Sequence, residues 1–386
     1  MARRGPGFAA DAREMAGTRA WLRPFVLPIA LVAVVAAWMT THARNREPQS
    51  DADFNDSHFH LTNYVQKGID ARAFLKIMGT RVSRSTLFGI PLQQTWAYAN
   101  SGDFAPTYYL QTDAPLYYYS FTDAYIAMQY AGLTKEEQAR FDPMITGFNP
   151  ADMYGVDHIR RVLQTFPGVF TGIGEFSIHK EFVSSKVAGE TASLTNPALD
   201  RILEFAAETG LVVILHSDID MPFAKPDTEP VYLAQMKALL KKHPRASIIW
   251  AHIGLGRIVH PVQVTSQTER SPGQFDLVET MVNDPQLRHV NFDISWDEVA
   301  KYAVASPQAI ARVTAALNKY PDRFLFGTDT VAPSGPAPYY GVFDIWAPVW
   351  KGLTPDASLK IRKGNYERLF NEGRRRVREW EKANVR

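Results

Sequence analysis

The chain has 386 residues, 46% of them apolar and 21% charged, with a formal net charge of +2. That is enough apolar material for a large core, and α/β barrels use about 250 residues or more as one unit. The near-neutral balance gives no electrostatic basis for nucleic acid as the main partner. The absence of cysteine excludes disulfides, thiolate ligands and cysteine nucleophiles together.

Any metal in such a chain must be held by His, Asp or Glu, which favours zinc, manganese or iron. The N-terminus carries its own signal. Five arginines within residues 1–23 precede a charge-free stretch, residues 24–43, with the dense apolar core FVLPIALVAVVAAWM. Basic, then apolar, then polar is the order of an export signal. A cleaved signal has an apolar run of roughly 7–15 residues, and a spanning helix has about 17–25. Thr41–Ala43 is a weak cleavage site, which favours an uncleaved signal anchor over a signal peptide. The arginine excess then keeps residues 1–23 in the cytoplasm and sends the rest across. The expectation is a membrane-anchored protein with its main domain outside the cytoplasm, or a secreted or periplasmic one if the signal is cleaved. Residues 44–52 read as a polar linker.

From residue 53 short apolar runs alternate with amphipathic helices, the pattern of βαβ units. Candidate strands follow at 53–56, 85–90, 143–148, 170–175, 211–215, 247–251, 289–294 and 323–327. The helix opened by Asn196-Pro197 carries Leu199, Ile202, Leu203 and Ala206 at helical spacing and closes at Gly210. A second carries Leu233, Met236, Leu239 and Leu240 and ends before Pro244, and a third is opened by Ser306-Pro307. Eight strands are what a closed (β/α)8 TIM barrel needs, placed here at 53–372. Residues 373–386 form a helical tail in which Arg374–Arg376 reads as a solvated face. The tyrosine-rich stretch 91–141 is too long for an ordinary connection. It reads as a partly helical cap, serving either as the aromatic wall of a substrate pocket or as hydrophobic cover and a contact between copies of the chain.

His58-Phe59-His60 ends the first strand, and residues two apart on a strand face the same way. His216, His252 and Asp329 follow the fifth, sixth and eighth strands, and Glu175 ends the fourth. Each is a metal-competent side chain where a barrel strand emerges, the end at which barrel active sites lie. Arg257 is a weaker candidate for holding a substrate carboxylate or phosphate. Asp218 and Asp220 read as partners that orient ligands or as turn formers. His179 and Lys180, which follow Glu175, are candidates to line the pocket, with a place on the loop surface the preferred reading.

In this order of residues the chain resembles the amidohydrolase superfamily. The segments FLFGTDT (324–330), KIRKGNYERLF (360–370) and WAHIGLGR (250–257) are similar to its amidohydrolase-related branch. The resemblance implies a distorted barrel with one or two divalent metals. It implies that His58, His60, His216 and Asp329 hold the buried ion, while Glu175 bridges to a second held by His216 and His252. In one-metal members the residue at His252 polarises substrate or water instead. Asp329 is then the group that takes a proton from water and returns it to the leaving group, with His252 beside the developing oxyanion. The function implied is hydrolysis of an ester, lactone, amide or phosphoester of a small molecule. A metal-dependent non-oxidative decarboxylase is the alternative within the same branch, and a catalytically silent ligand-binding barrel is the alternative outside it.

Overall fold

A computed structural model describes residues 52–221, 228, 230–256 and 273–385. The basic, apolar and linker segments read at the N-terminus therefore lie outside the described residues, as does Arg257. Among the described residues no helix is long and apolar enough to cross a membrane.

Eight parallel strands form one curled sheet in sequential order. They are β1 (Phe54–Asp56), β2 (Val82–Leu87), β3 (Phe141–Ile145), β4 (Gly172–Ser177), β5 (Val212–His216), β6 (Ser247–Trp250), β7 (Val290–Asp293) and β8 (Phe324–Leu325). The first and last strands are joined along their continuations. Ser57 N–H donates to Phe326 C=O at 3.1 Å, Asp329 N–H to His58 C=O at 2.8 Å, and Ala332 N–H to His60 C=O at 2.9 Å. Short segments Phe59–His60 and Thr330–Val331 pair in parallel there. The arrangement is consistent with a TIM barrel.

The two faces of each strand bury different things, as a parallel sheet covered on both sides requires. On β5, Val213 and Leu215 enter the large core between sheet and helices. Val212 and Ile214 point the other way, with Met144, Ile249 and Leu325, onto Tyr366, Leu369 and Phe370 of the C-terminal helix. His216 shares the parity of Val212 and Ile214, so the period of two carries it to the inner face. The helix Pro197–Thr209 is set by local chemistry: the Asn196 side chain accepts from Ala198 N–H at 2.9 Å, and Gly210 ends it in a left-handed conformation, φ +84°. In that position any side chain is strained. Pro307–Lys319 is capped likewise by Ser306, which accepts from Ala309 N–H at 3.1 Å.

Three expectations shift. The second and third strands run at 82–87 and 141–145, two or three residues earlier than their apolar runs imply. The last helix spans Asn365–Asn384, so the helical tail begins inside the segment assigned to the barrel. The end of the 91–141 stretch is not cap: the helix Phe121–Ala131 buries Ile126 and Ala127 in the main core as the helix of the second βα unit. What remains is an antiparallel pair, Leu92–Gln94 with Leu116–Tyr118, enclosing short helical turns.

Candidate metal centre

The structure brings together all six expected residues that it describes. His58 follows β1 and His60 lies on the continuation that pairs with Thr330–Val331. Glu175 sits on β4 where the register slips, an advance of three positions (Ile173 to Phe176) matching an advance of two on β5 (Val213 to Leu215). A bulge of that kind re-aims a side chain, and here it directs Glu175 toward the histidines. His252 (φ +54°) and Asp329 (φ +54°) both adopt left-handed backbone, a conformation that costs energy in a residue with a Cβ and concentrates at functional sites.

The distances are short, and all of these side chains but Asp329 are buried. His60 Nε2 lies 3.1 Å from Asp329 Oδ1 and 3.3 Å from Glu175 Oε2. His58 Nε2 is 3.4 Å from Asp329 Oδ1 and 3.8 Å from Glu175 Oε2. His252 Nε2 is 3.7 Å from Glu175 Oε1 and 3.9 Å from Asp329 Oδ2, and His216 Nδ1 bonds Glu175 Oε1. Ligand atoms of His58, His60, Glu175 and Asp329 lie within 4.8 Å of one another, as do those of Glu175, His216 and His252. His58 Nε2 and His252 Nε2 are buried with no hydrogen-bond partner among the described residues. Burying an unsatisfied polar atom is costly. Two such nitrogens aimed at two carboxylates fit a divalent cation, which takes this donor set of imidazole and carboxylate.

Outer contacts fix the rings. His58 Nδ1 is 3.0 Å from Asp293 Oδ2, and His252 Nδ1 is 2.8 Å from Ser295 Oγ. Asp293 also accepts from His252 N–H at 2.8 Å. His216 Nε2 meets Asp218 Oδ1 at 3.1 Å, so Asp218 orients a ring, while Asp220 caps a turn by accepting from Met221 and Val231 N–H. Asp56, beneath His58, accepts from Thr328 N–H, Thr328 Oγ1–H and Tyr339 O–H at 2.8, 2.7 and 2.9 Å. Burial pushes its carboxyl up to about 6 despite those bonds.

Charge is balanced within the cluster. Burial works to raise Glu175, but Lys180 and His216 beside it hold its carboxyl well below the usual range. Burial likewise opposes the charge on Asp329, and the neighbouring His252, with a hydrogen bond from His60, holds its carboxyl below the ordinary value.

Sequence reasoning missed Asp293 and, for Lys180, preferred the surface to the pocket. Asp293 ends the strand read at 289–294 and meets the same strand-end criterion that selected the others. Lys180 is not on the loop surface: its side chain is 14% exposed and its Nζ lies 2.9 Å from Glu175 Oε1. The cluster opens into a cavity of about 220 Å³ whose walls include Tyr64, Tyr108, Tyr109, Lys180 and Trp296. Tyr108 and Tyr109 of the cap thus face the cavity, whereas Tyr117 faces out and Tyr125 and Tyr130 pack on the core.

A family model described as amidohydrolase matches residues 56–371. No curated protein matches the sequence. Among solved structures, a putative 2-pyrone-4,6-dicarboxylic acid hydrolase from Pseudomonas putida is similar, with 13% identity over 83% of this chain and 98% of that one and a TM-score of 0.49. An amidohydrolase from Burkholderia multivorans with bound HEPES gives 12% identity, 83% and 99% coverage and 0.49. Dihydroorotase from Campylobacter jejuni gives 14%, 85% and 87%, and 0.47. Matched along residues 56–371, the chain belongs to the amidohydrolase superfamily of metal-dependent hydrolases.

Proposed function

We propose that the protein adds water across an ester, lactone, amide or phosphoester bond of a small organic substrate, with two divalent ions, zinc foremost, held at the centre of the sheet. The observation that carries this reading is the pair of side-chain groups that share Glu175, one completed by His58, His60 and Asp329, the other by His216 and His252. Divalent ions there supply Lewis acidity, polarising the scissile group and making water acidic enough to react near neutral pH. Asp329, ionised and at the mouth of the cluster, takes the proton from the attacking water and passes it to the leaving group. Asp293 and Ser295 hold His58 and His252 with Nε2 turned inward. The cap tyrosines and Trp296 exclude bulk water from the cavity.

One observation favours a second reading. Lys180 and His216 both already engage Glu175 Oε1; if that engagement persists, a single ion on the remaining ligands suits a non-oxidative decarboxylase. Metal analysis joined to two assays separates them. The hydrolase reading expects two ions per chain and turnover of an ester or lactone panel; one ion with carbon dioxide release from a carboxylic acid panel supports the decarboxylase. The arginine-rich start and the apolar stretch 24–43 support a tether that places this chemistry at a membrane, outside the cytoplasm, which cell fractionation tests.

A further inference from the structure

Among the described residues, the cavity is lined by one cation that is not itself a candidate metal ligand. Lys180 lies five residues beyond Glu175, lines the cavity with His60, His252 and Asp329, and is mostly buried. An ammonium has three N–H donors. Among the described residues the one hydrogen bond of Lys180 Nζ is to Glu175 Oε1 at 2.9 Å. Among the described residues, Lys180 is also the only lysine or arginine lining this cavity. Of the lining acids, Asp329 belongs to the metal cluster, and Asp297 at the rim is paired with Lys301 at 2.6 Å. The pair with Glu175 uses one of those donors, and in a mostly buried place the others are satisfied best by a second anion. The space is also restrictive: about 220 Å³ is below the roughly 300–1,000 Å³ of pockets for drug-sized ligands, and much of its wall is aromatic.

We propose that Lys180 is the specificity-determining residue of this site, recognising the carboxylate of a small organic acid whose apolar body lies against the cap tyrosines and Trp296. The inference rests on the metal-centre reading for the location of the reacting bond, and it adds the charge and size of the molecule that carries that bond. Recognition by Lys180 is separate from any attraction of the ions for the same anion, because it disappears when the ammonium alone is removed.

The test uses the full chain loaded with zinc, with benzoate and its neutral isostere benzamide as probes, followed by calorimetry. A charge-assisted hydrogen bond is worth enough for about a tenfold or greater preference, so benzoate should bind at least about tenfold tighter than benzamide. Lys180→Gln should abolish that preference without changing zinc content, and Lys180→Arg should retain it. Equal binding of the two probes, or binding of neither, overturns the proposal. It is equally overturned if Lys180→Gln still prefers benzoate, since the ions would then suffice, or if that variant loses zinc together with the preference, since Lys180 would then be supporting Glu175. A protein that takes up no zinc defeats the metal-centre reading instead, and the same probe pair on the metal-free chain still reports on Lys180.

Discussion

Asp293 Oδ2 sits 3.0 Å from His58 Nδ1, and the same carboxylate accepts the backbone N–H of His252 at 2.8 Å. One buried side chain at the end of β7 therefore positions two of the six residues around the metal centre without being counted among them. Partners of this kind set the tautomer and direction of a ligating ring, and losing one typically costs about 10–100-fold in metal affinity. Asp293→Asn should weaken zinc binding by about that factor in a competition assay against a chromophoric chelator, with unchanged circular dichroism.

Gly327 is where β8 meets His58. A Cβ built there falls 2.8 Å from His58 Cβ and 2.9 Å from Ser57 Oγ, closer than side chains approach. Gly327→Ala should lower stability by about 1–3 kcal/mol, the usual cost of overpacking, and should reduce metal content by displacing His58. Gly341, in the helix Pro336–Ile345 with nothing within 4 Å of its Cβ position, is the control. Gly341→Ala should leave metal content unchanged and raise the melting temperature slightly.

Asp142 on β3 ties the sheet to the C-terminal helix. It accepts from Arg84 Nη2–H at 2.6 Å, from Arg374 Nη2–H at 2.7 Å and from Tyr366 O–H at 2.7 Å. Burial opposes its charge, yet the two guanidinium groups lower its carboxyl below the ordinary 3.8. A carboxylate lowered in the folded state stabilises the protein fully above the unfolded value and loses that contribution as pH falls through the folded one. The acid limb of a denaturation series should therefore lie below about pH 4 for this group. Asp142→Asn should cost about 3 kcal/mol at pH 7, toward the low end for a broken buried pair because Arg374 is partly solvated. The difference from wild type should shrink as the pH drops below 3.8.

The cap is fastened by Lys186, whose Nζ–H groups donate to Tyr109 C=O at 2.7 Å and Thr112 C=O at 2.6 Å, and by Tyr109 O–H to Glu181. Lys186→Ala should increase hydrogen exchange at residues 108–112 while β4 and β5 remain protected. Once a substrate is found, it should raise KM more than it lowers kcat.

The barrel-like order and the six metal-competent residues were legible because both depend on local pattern. A run such as LVVIL is apolar throughout only when both faces of a strand are covered, and a polar residue at its end then stands out. Boundaries were less legible: Phe88, in an isolated bridge to His60, and Ile90, buried in loop, prolong the apolar run past the end of β2. Phe121–Ala131 was folded into the cap because its mixture of tyrosines and apolar residues hides the helical face that buries Ile126. For Lys180 the sequence offered both pocket and surface, because loop sequence carries no periodicity, and only the third dimension shows that the chain turns back to set its ammonium against Glu175. The bulge that aims Glu175 is likewise a matter of register with β5, which no single strand encodes.

In the proposed two-ion centre, Glu175 joins the two metal sites. The most direct measurement is zinc stoichiometry, by mass spectrometry of the metal after equilibrium dialysis, for wild type, His58→Ala and Glu175→Gln. Two ions per chain are expected in wild type, corresponding to the two groups that share Glu175, with loss in both variants. A wild-type protein that holds one zinc or none, or a Glu175→Gln variant that keeps the full complement, would contradict this arrangement.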